Sequence, residues 1–124
     1  MTARAKVLLV EDDVDVRDST VDLLTAFGFE VVTAHVAREA LSILGRDAAI
    51  AVLLSDIAMP GTNGAELAVE ARRTHPDLKV LLASGYPAPI LAQKYDLPQN
   101  VRLLCKPFMP RDLLKEIDRL TETS

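Results

Sequence analysis

The chain carries one cysteine, Cys105, in 124 residues. A lone cysteine closes no intramolecular disulfide, so a disulfide framework is excluded and a free thiol fits a reducing compartment. No basic-then-apolar leader opens the sequence, and no apolar run approaches the roughly 20 residues of a membrane-spanning helix. The expectation is a cytoplasmic protein with no membrane partner. Basic residues are not in excess: 14 Lys and Arg stand against 18 Asp and Glu, a net charge of −4. Non-specific nucleic-acid binding rests on Lys and Arg neutralising phosphates, and this balance argues against it. The one tight basic cluster, Ala71-Arg72-Arg73, reads as a solvated helix face. Linkers, low-complexity tracts and solenoid repeats are absent, and the length suits a single domain over residues 1–124, with no output domain after the last helix.

What is present suits a globular domain, with 49% hydrophobic and 26% charged residues. Four short apolar runs stand out: Lys6–Val10, Ala51–Ser55, Lys79–Ser84 and Val101–Cys105, with Glu30–Ala34 a weaker fifth. The four are continuous rather than alternating, as in strands of a parallel sheet covered by helices on both faces. Between them lie stripes of helical period. Val16, Thr20, Leu23, Leu24 and Phe27 form one, ended by Gly28. Ala37, Ala40, Leu41 and Leu44 form another, closed by Gly45. Gly64, Leu67, Ala68 and Ala71 follow Asn63, which pairs with Glu66 as a capping box. Leu113, Leu114, Ile117 and Leu120 make the last stripe, entered through Pro110 and running nearly to Ser124. The Tyr86–Asn100 segment has room only for a short helix near Ile90–Tyr95, between Pro87, Pro89 and Pro98. Alternating strands and helices predict an α/β fold: a doubly wound, five-stranded parallel sheet with helices on both faces.

In such sheets ligands sit beyond the carboxyl ends of the strands. The first strand ends in Glu11-Asp12-Asp13 and the third in Asp56. If those strands are neighbours, their tips lie about 5 Å apart. Two or three carboxylates then converge, and a hard cation such as Mg²⁺ relieves their repulsion. Asp13 reads better as an acidic helix start. The fourth strand ends in Ser84-Gly85 and the fifth in Lys106-Pro107, adding a hydroxyl, a flexible backbone N–H and an ammonium at the same edge. Aspartyl-phosphate chemistry requires this set. Cys105 reads as a buried small residue, the methionines as packing, and His35 and His75 as surface positions.

The motifs VLLVEDD, LLSDIAMPGTNG, LLASG and CKPF, each after an apolar strand, resemble the receiver domain of two-component response regulators. The resemblance runs from Lys6 to about Leu120. It implies the flavodoxin-like strand order 2-1-3-4-5. It implies Asp56 as phosphoacceptor, with Mg²⁺ held by Asp12, Asp56, the backbone carbonyl of Ala58 and, through water, Glu11. Ser84 is the implied switch hydroxyl that follows the phosphoryl group, and Lys106 the family's invariant lysine. The Lys106-Pro107 bond is implied to be cis. Met59-Pro60 and Gly64 match the loop after the acceptor. The implied function is a phosphorelay switch rather than a turnover enzyme. It takes its phosphoryl group from a sensor histidine kinase or histidine phosphotransfer protein and alters partner binding through the face of strand 4, helix 4 and strand 5.

The sequence departs from the family pattern in places. The hydroxyl is Ser84 rather than the commoner threonine. Leu103 stands where relatives often carry a readout Tyr or Phe, so an aromatic flip there is excluded. Ala58 and Tyr86, two residues past the acceptor and the switch hydroxyl, flank the path of hydrolytic water. An apolar Ala58 and a Tyr86 ring covering the approach imply a long-lived phosphoryl group. The SGY-plus-proline segment is similar both to receivers of hybrid kinases and to stand-alone ones. Haloacid dehalogenase-like chemistry needs a second acid where Ala58 stands. A flavin module needs a Ser/Thr/Gly-rich phosphate loop where Glu11-Asp12-Asp13 stands. The remaining alternative is a pseudo-receiver, binding partners without phosphorylation.

Overall fold

The computed structural model describes residues 4–121. Its elements are β1 (Lys6–Val10), α1 (Val14–Ala26), β2 (Glu30–Ala34), α2 (Ala37–Arg46), β3 (Ile50–Asp56), α3 (Gly64–Thr74), β4 (Lys79–Ser84), α4 (Ala88–Lys94), β5 (Val101–Cys105) and α5 (Pro110–Thr121). All strand pairs are parallel, in the order β2-β1-β3-β4-β5. Successive residues of a strand point to opposite faces, so the sheet feeds two core layers. Leu8, Val10, Leu53, Val80 and Leu82 pack with Ala40, Leu44, Leu67, Ala68 and Leu91 of α2, α3 and α4. Val7, Leu9, Val52, Leu54, Leu81 and Leu104 pack with Leu24 of α1 and Leu113 and Ile117 of α5. The central strands β1, β3 and β4 are buried on both faces, which is why their sequences read as unbroken apolar runs.

Several local expectations hold. Asn63 and Glu66 form both bonds of the capping box that starts α3. Pro110 opens α5, and Gly28 follows α1 with φ +91°, a conformation glycine adopts without strain. Others need correction. On α1 the buried residues are Thr20 and Leu24, while Val16 and Phe27 are exposed. Phe27 is the C-cap of the helix, and its ring is left largely in solvent. Gly45 does not close α2. The helix runs to Arg46, and extended Asp47, paired with Lys6 and bonded to the Ala49 N–H, leads the chain into β3. The short helix is α4, and Pro89 lies in its first turn, where a missing N–H costs nothing. Cys105 is exposed. It points to the same face as Leu103, at the end of an edge strand beside a helix of only seven residues. Met59 packs against the core but Met109 is 56% exposed. Arg72 is not a free surface cation: its guanidinium donates to the carbonyls of Leu78, Gln99 and Asn100 and ties α3 to the approach to β5. Met1 and the expected run of α5 beyond Thr121 lie outside the described residues.

Among the described residues no helix is long and apolar enough to cross a membrane.

Candidate functional site

β1 and β3 are adjacent, with Val10 opposite Ser55. The residue after β1, Glu11, therefore meets the last residue of β3, Asp56, which still pairs with Ala83 of β4. Glu11 is held in place by its N–H, which donates to the Ala34 carbonyl at the end of β2. Asp13 caps α1, its carboxylate accepting from the N–H groups of Asp15 and Val16. Asp13 is thus the helix start, and Asp12 stands exposed between two anchored neighbours. One carboxylate oxygen each from Glu11, Asp12 and Asp56 lie within 4.8 Å of one another. At that separation two unit charges repel by roughly 3–4 kcal/mol at an effective dielectric of about 20.

Lys106 answers part of that charge. It leaves β5 just before the cis Lys106-Pro107 bond, and its N–H donates to the Ser84 carbonyl at 2.7 Å. Its ammonium pairs with Asp56 and, at 3.3 Å, with Glu11. Burial and then the Asp56 carboxylate push the Glu11 pKa above its ordinary value, with the Asp13 N–H and Lys106 pulling the other way. Burial works to lower the Lys106 pKa, but the hydrogen bond and charge of Asp56, together with Glu11, outweigh it and raise the value. Three carboxylates against one ammonium leave the pocket with a formal charge of −2. Hard oxygen donors carrying that net charge suit a divalent cation.

The other expected residues fall around this centre. Ser84 is buried, and its hydroxyl accepts the Tyr86 N–H at 3.0 Å, so it closes the turn into α4. The Tyr86 ring is 46% exposed and lies under the Lys94 ammonium, 4.6 Å from the ring centre. Leu103 is half-buried against the α2–α4 layer, and Ala58 and Pro107 are exposed. His35 pairs with Glu39, and His75 ends α3.

Two contributors escape motif reading. The Ser55 hydroxyl donates to the Asp56 carbonyl at 2.8 Å, and the Arg17 guanidinium donates to the Glu11 carbonyl at 3.3 Å. Only their spacing, one residue before the acceptor and one helical turn into α1, could have flagged them. Below the acids, Thr20, Leu54, Ala83 and Phe108 close the floor of the site. Beside Lys106, an open groove of about 610 Å³ runs along Asp15, Val16, Ser19, Thr20, Pro107 and Phe108.

A five-stranded sheet in this order, with acids from β1 and β3 and a lysine from β5 at one edge, defines a class of α/β signalling domain. The family model described as the response regulator receiver domain matches residues 7–118, and the chain belongs to that family. It is 36% identical over 115 residues to the response regulator receiver protein CpdR of Brucella abortus, covering 93% of this chain and 95% of CpdR. It is 33% identical to a part of the sensor kinase CckA of the same organism, covering 98% of this chain but only 13% of the kinase. Against the response regulator FleR of Pseudomonas aeruginosa, 39% identical, it spans 24% of the relative's length. Among solved structures, the chemotaxis protein CheY4 of Vibrio cholerae superposes with a TM-score of 0.86 at 32% identity, covering 95% of this chain and 99% of that one. The receiver domain of the hybrid histidine kinase CckA superposes with a TM-score of 0.81 at 31% identity, covering 95% and 100%.

Proposed function

We propose that this receiver domain is a phosphorelay switch that accepts a phosphoryl group on Asp56. The observation that carries the reading is the convergence of Glu11, Asp12 and Asp56 under the Lys106 ammonium. A pseudo-receiver needs none of these groups, and their joint placement supports the phosphoacceptor instead. Glu11, Asp12, Asp56 and the Ala58 carbonyl would hold Mg²⁺, which supplies positive charge between the acids and an incoming phosphoryl group.

The chain's own residues do the rest. Asp56 stands at the end of a buried strand, so its carboxylate is presented with little conformational freedom. An Asp56 oxygen bonds to phosphorus as the phosphorus–nitrogen bond of a donor phosphohistidine breaks, the electron pair leaving with the imidazole. Lys106, a point charge on a flexible stem, moves from the carboxylate to a phosphoryl oxygen. The Ser84 hydroxyl turns toward the same group and gives up the Tyr86 N–H. That loosens the turn into α4 and alters the face of β4, α4 and β5. Leu103 has no ring to report the change, so the signal lies in residues 85–94. The groove beside Lys106 suits the approach of a histidine kinase or phosphotransfer protein, because Lys106, which lines it, pairs with Asp56. The domain consumes one phosphoryl group per switching event and does not turn over substrate.

Transfer from a phosphorylated histidine phosphotransfer domain tests this reading. The chain should take up the phosphoryl group in Mg²⁺, and neither chelated protein nor Asp56→Asn should do so. Transfer that persists in Asp56→Asn would overturn it.

A further inference from the structure

We propose that Arg17 is a positioning residue for the metal pocket, acting through the peptide that joins Glu11 to Asp12. The inference rests on the reading above, since it concerns the pocket assigned to Mg²⁺. β1 stops pairing at Val10. The next carbonyl, that of Glu11, belongs to a residue only 4% exposed and lies past the last strand-paired residue. A buried carbonyl left without a donor costs about 1–3 kcal/mol. The half-buried Arg17 supplies the donor, its guanidinium 3.3 Å from the Glu11 oxygen.

The consequence is geometric. A peptide unit is planar, so a bond to its oxygen restrains the orientation of the unit from which both flanking residues depart. Here the flanking residues are Glu11 and Asp12, two of the three acids. The turn is tied at three further points. Glu11 N–H donates to Ala34, Asp13 N–H donates to the Glu11 carboxylate at 3.3 Å, and the Asp13 carboxylate caps α1. None of these holds the peptide carbonyl between the two acids, and Arg17 does. Arg17 stands on α1, which Leu24 anchors in the core, so the tie runs to a rigid element. Among the acids around it, Arg17 bonds a carbonyl, so Glu11 and Asp12 keep their carboxylates for the pocket.

Charge and position predict opposite signs. A guanidinium near the acids repels a divalent cation, so by charge alone its removal tightens Mg²⁺ binding. If the tie dominates, its removal weakens binding. Loss of groups that orient metal ligands typically costs about 10–100-fold in affinity.

The test is Mg²⁺ titration of the phosphate-free protein, followed by amide chemical shifts, for wild type, Arg17→Met, Arg17→Gln and Arg17→Lys. Arg17→Met and Arg17→Gln should bind about tenfold more weakly. Arg17→Lys, which can still donate to one carbonyl, should recover part of the loss. A purely structural role would lower the melting temperature of the metal-free protein and leave the affinity of the folded form alone. Unchanged or tighter binding in both Arg17→Met and Arg17→Gln overturns the inference while leaving the pocket intact. A wild type whose acids do not respond to Mg²⁺ overturns the reading of the pocket and the inference with it.

Discussion

Lys106 Nζ and Glu11 Oε1 stand 3.3 Å apart although 95 residues separate them in the chain. Lys106 comes from the edge strand β5 and reaches across the end of β4 to acids presented by β3 and β1. One ammonium thus draws together the ends of strands from both sides of the sheet, and it is the cation a bound metal has to compete with.

Lys106→Met should therefore leave Glu11 and Asp56 with no ammonium between them. Metal-free stability at neutral pH should fall by about 1–3 kcal/mol, as for a group left buried without its partner. Mg²⁺ affinity should rise a few-fold, because a competing cation has gone. Urea denaturation and Mg²⁺ titration give both numbers, and an unchanged denaturation midpoint would show the pairs to be energetically silent.

The raised Glu11 pKa carries a definite sign. The folded state holds that proton more tightly than an unfolded glutamate with its value of 4.5. Stability from this group is therefore present at low pH and lost as pH rises from 4.5 through the raised value. Mg²⁺ affinity runs the other way, falling as acid protonates the pocket across the same interval. Glu11→Gln should flatten that part of the metal-free stability profile and weaken Mg²⁺ binding at neutral pH. A profile identical to wild type would place the titration elsewhere.

The strand ends were legible because each acid or lysine follows an unbroken apolar run, and a parallel sheet lines such ends along one edge. Asp13 was legible as an acidic helix start because negative charge favours a helix N-terminus, although its side-chain capping bonds were not. The exposure of Cys105 was not, since nothing in an apolar run distinguishes the last residue of an edge strand from that of a central one. The continuation of α2 past Gly45 was hidden because a glycine near a helix end serves equally inside the last turn or after it. Ser55 and Arg17 were missed because their partners are backbone carbonyls, which no side-chain motif records, so that only their spacing from the acids pointed to them.

Two glycines make a matched pair. A Cβ on Gly64 would clash with the Asp56 carbonyl oxygen and sit 2.9 Å from Ile57 Cα, both backbone atoms. A Cβ on Gly45 would meet nothing within 4 Å. Gly64→Ala should destabilise by about 1–3 kcal/mol, as overpacking does, and slow phosphorylation by shifting the strand end that carries Asp56. Gly45→Ala, inside α2, should stabilise by about 0.5–1 kcal/mol. Thermal denaturation decides both; equal effects at the two sites would refute the backbone approach at Gly64.

Ser84 couples the acceptor to the turn that follows β4. In Ser84→Ala, Asp56 should still accept a phosphoryl group or its beryllofluoride mimic, but the amide resonances of residues 85–94 should no longer follow. The Tyr86 N–H has already lost its hydroxyl partner in that variant. Full wild-type shift changes in Ser84→Ala would move the signal to another element.

The central claim, that Asp56 is the acceptor, is tested most directly by intact mass after incubation with acetyl phosphate and Mg²⁺. Wild type should gain the mass of one phosphoryl group, chelated wild type none, and Asp56→Asn none under conditions in which it binds Mg²⁺ and remains folded. A stoichiometric phosphoryl adduct on Asp56→Asn, or a folded, Mg²⁺-loaded wild type that takes up no phosphoryl group, would contradict it.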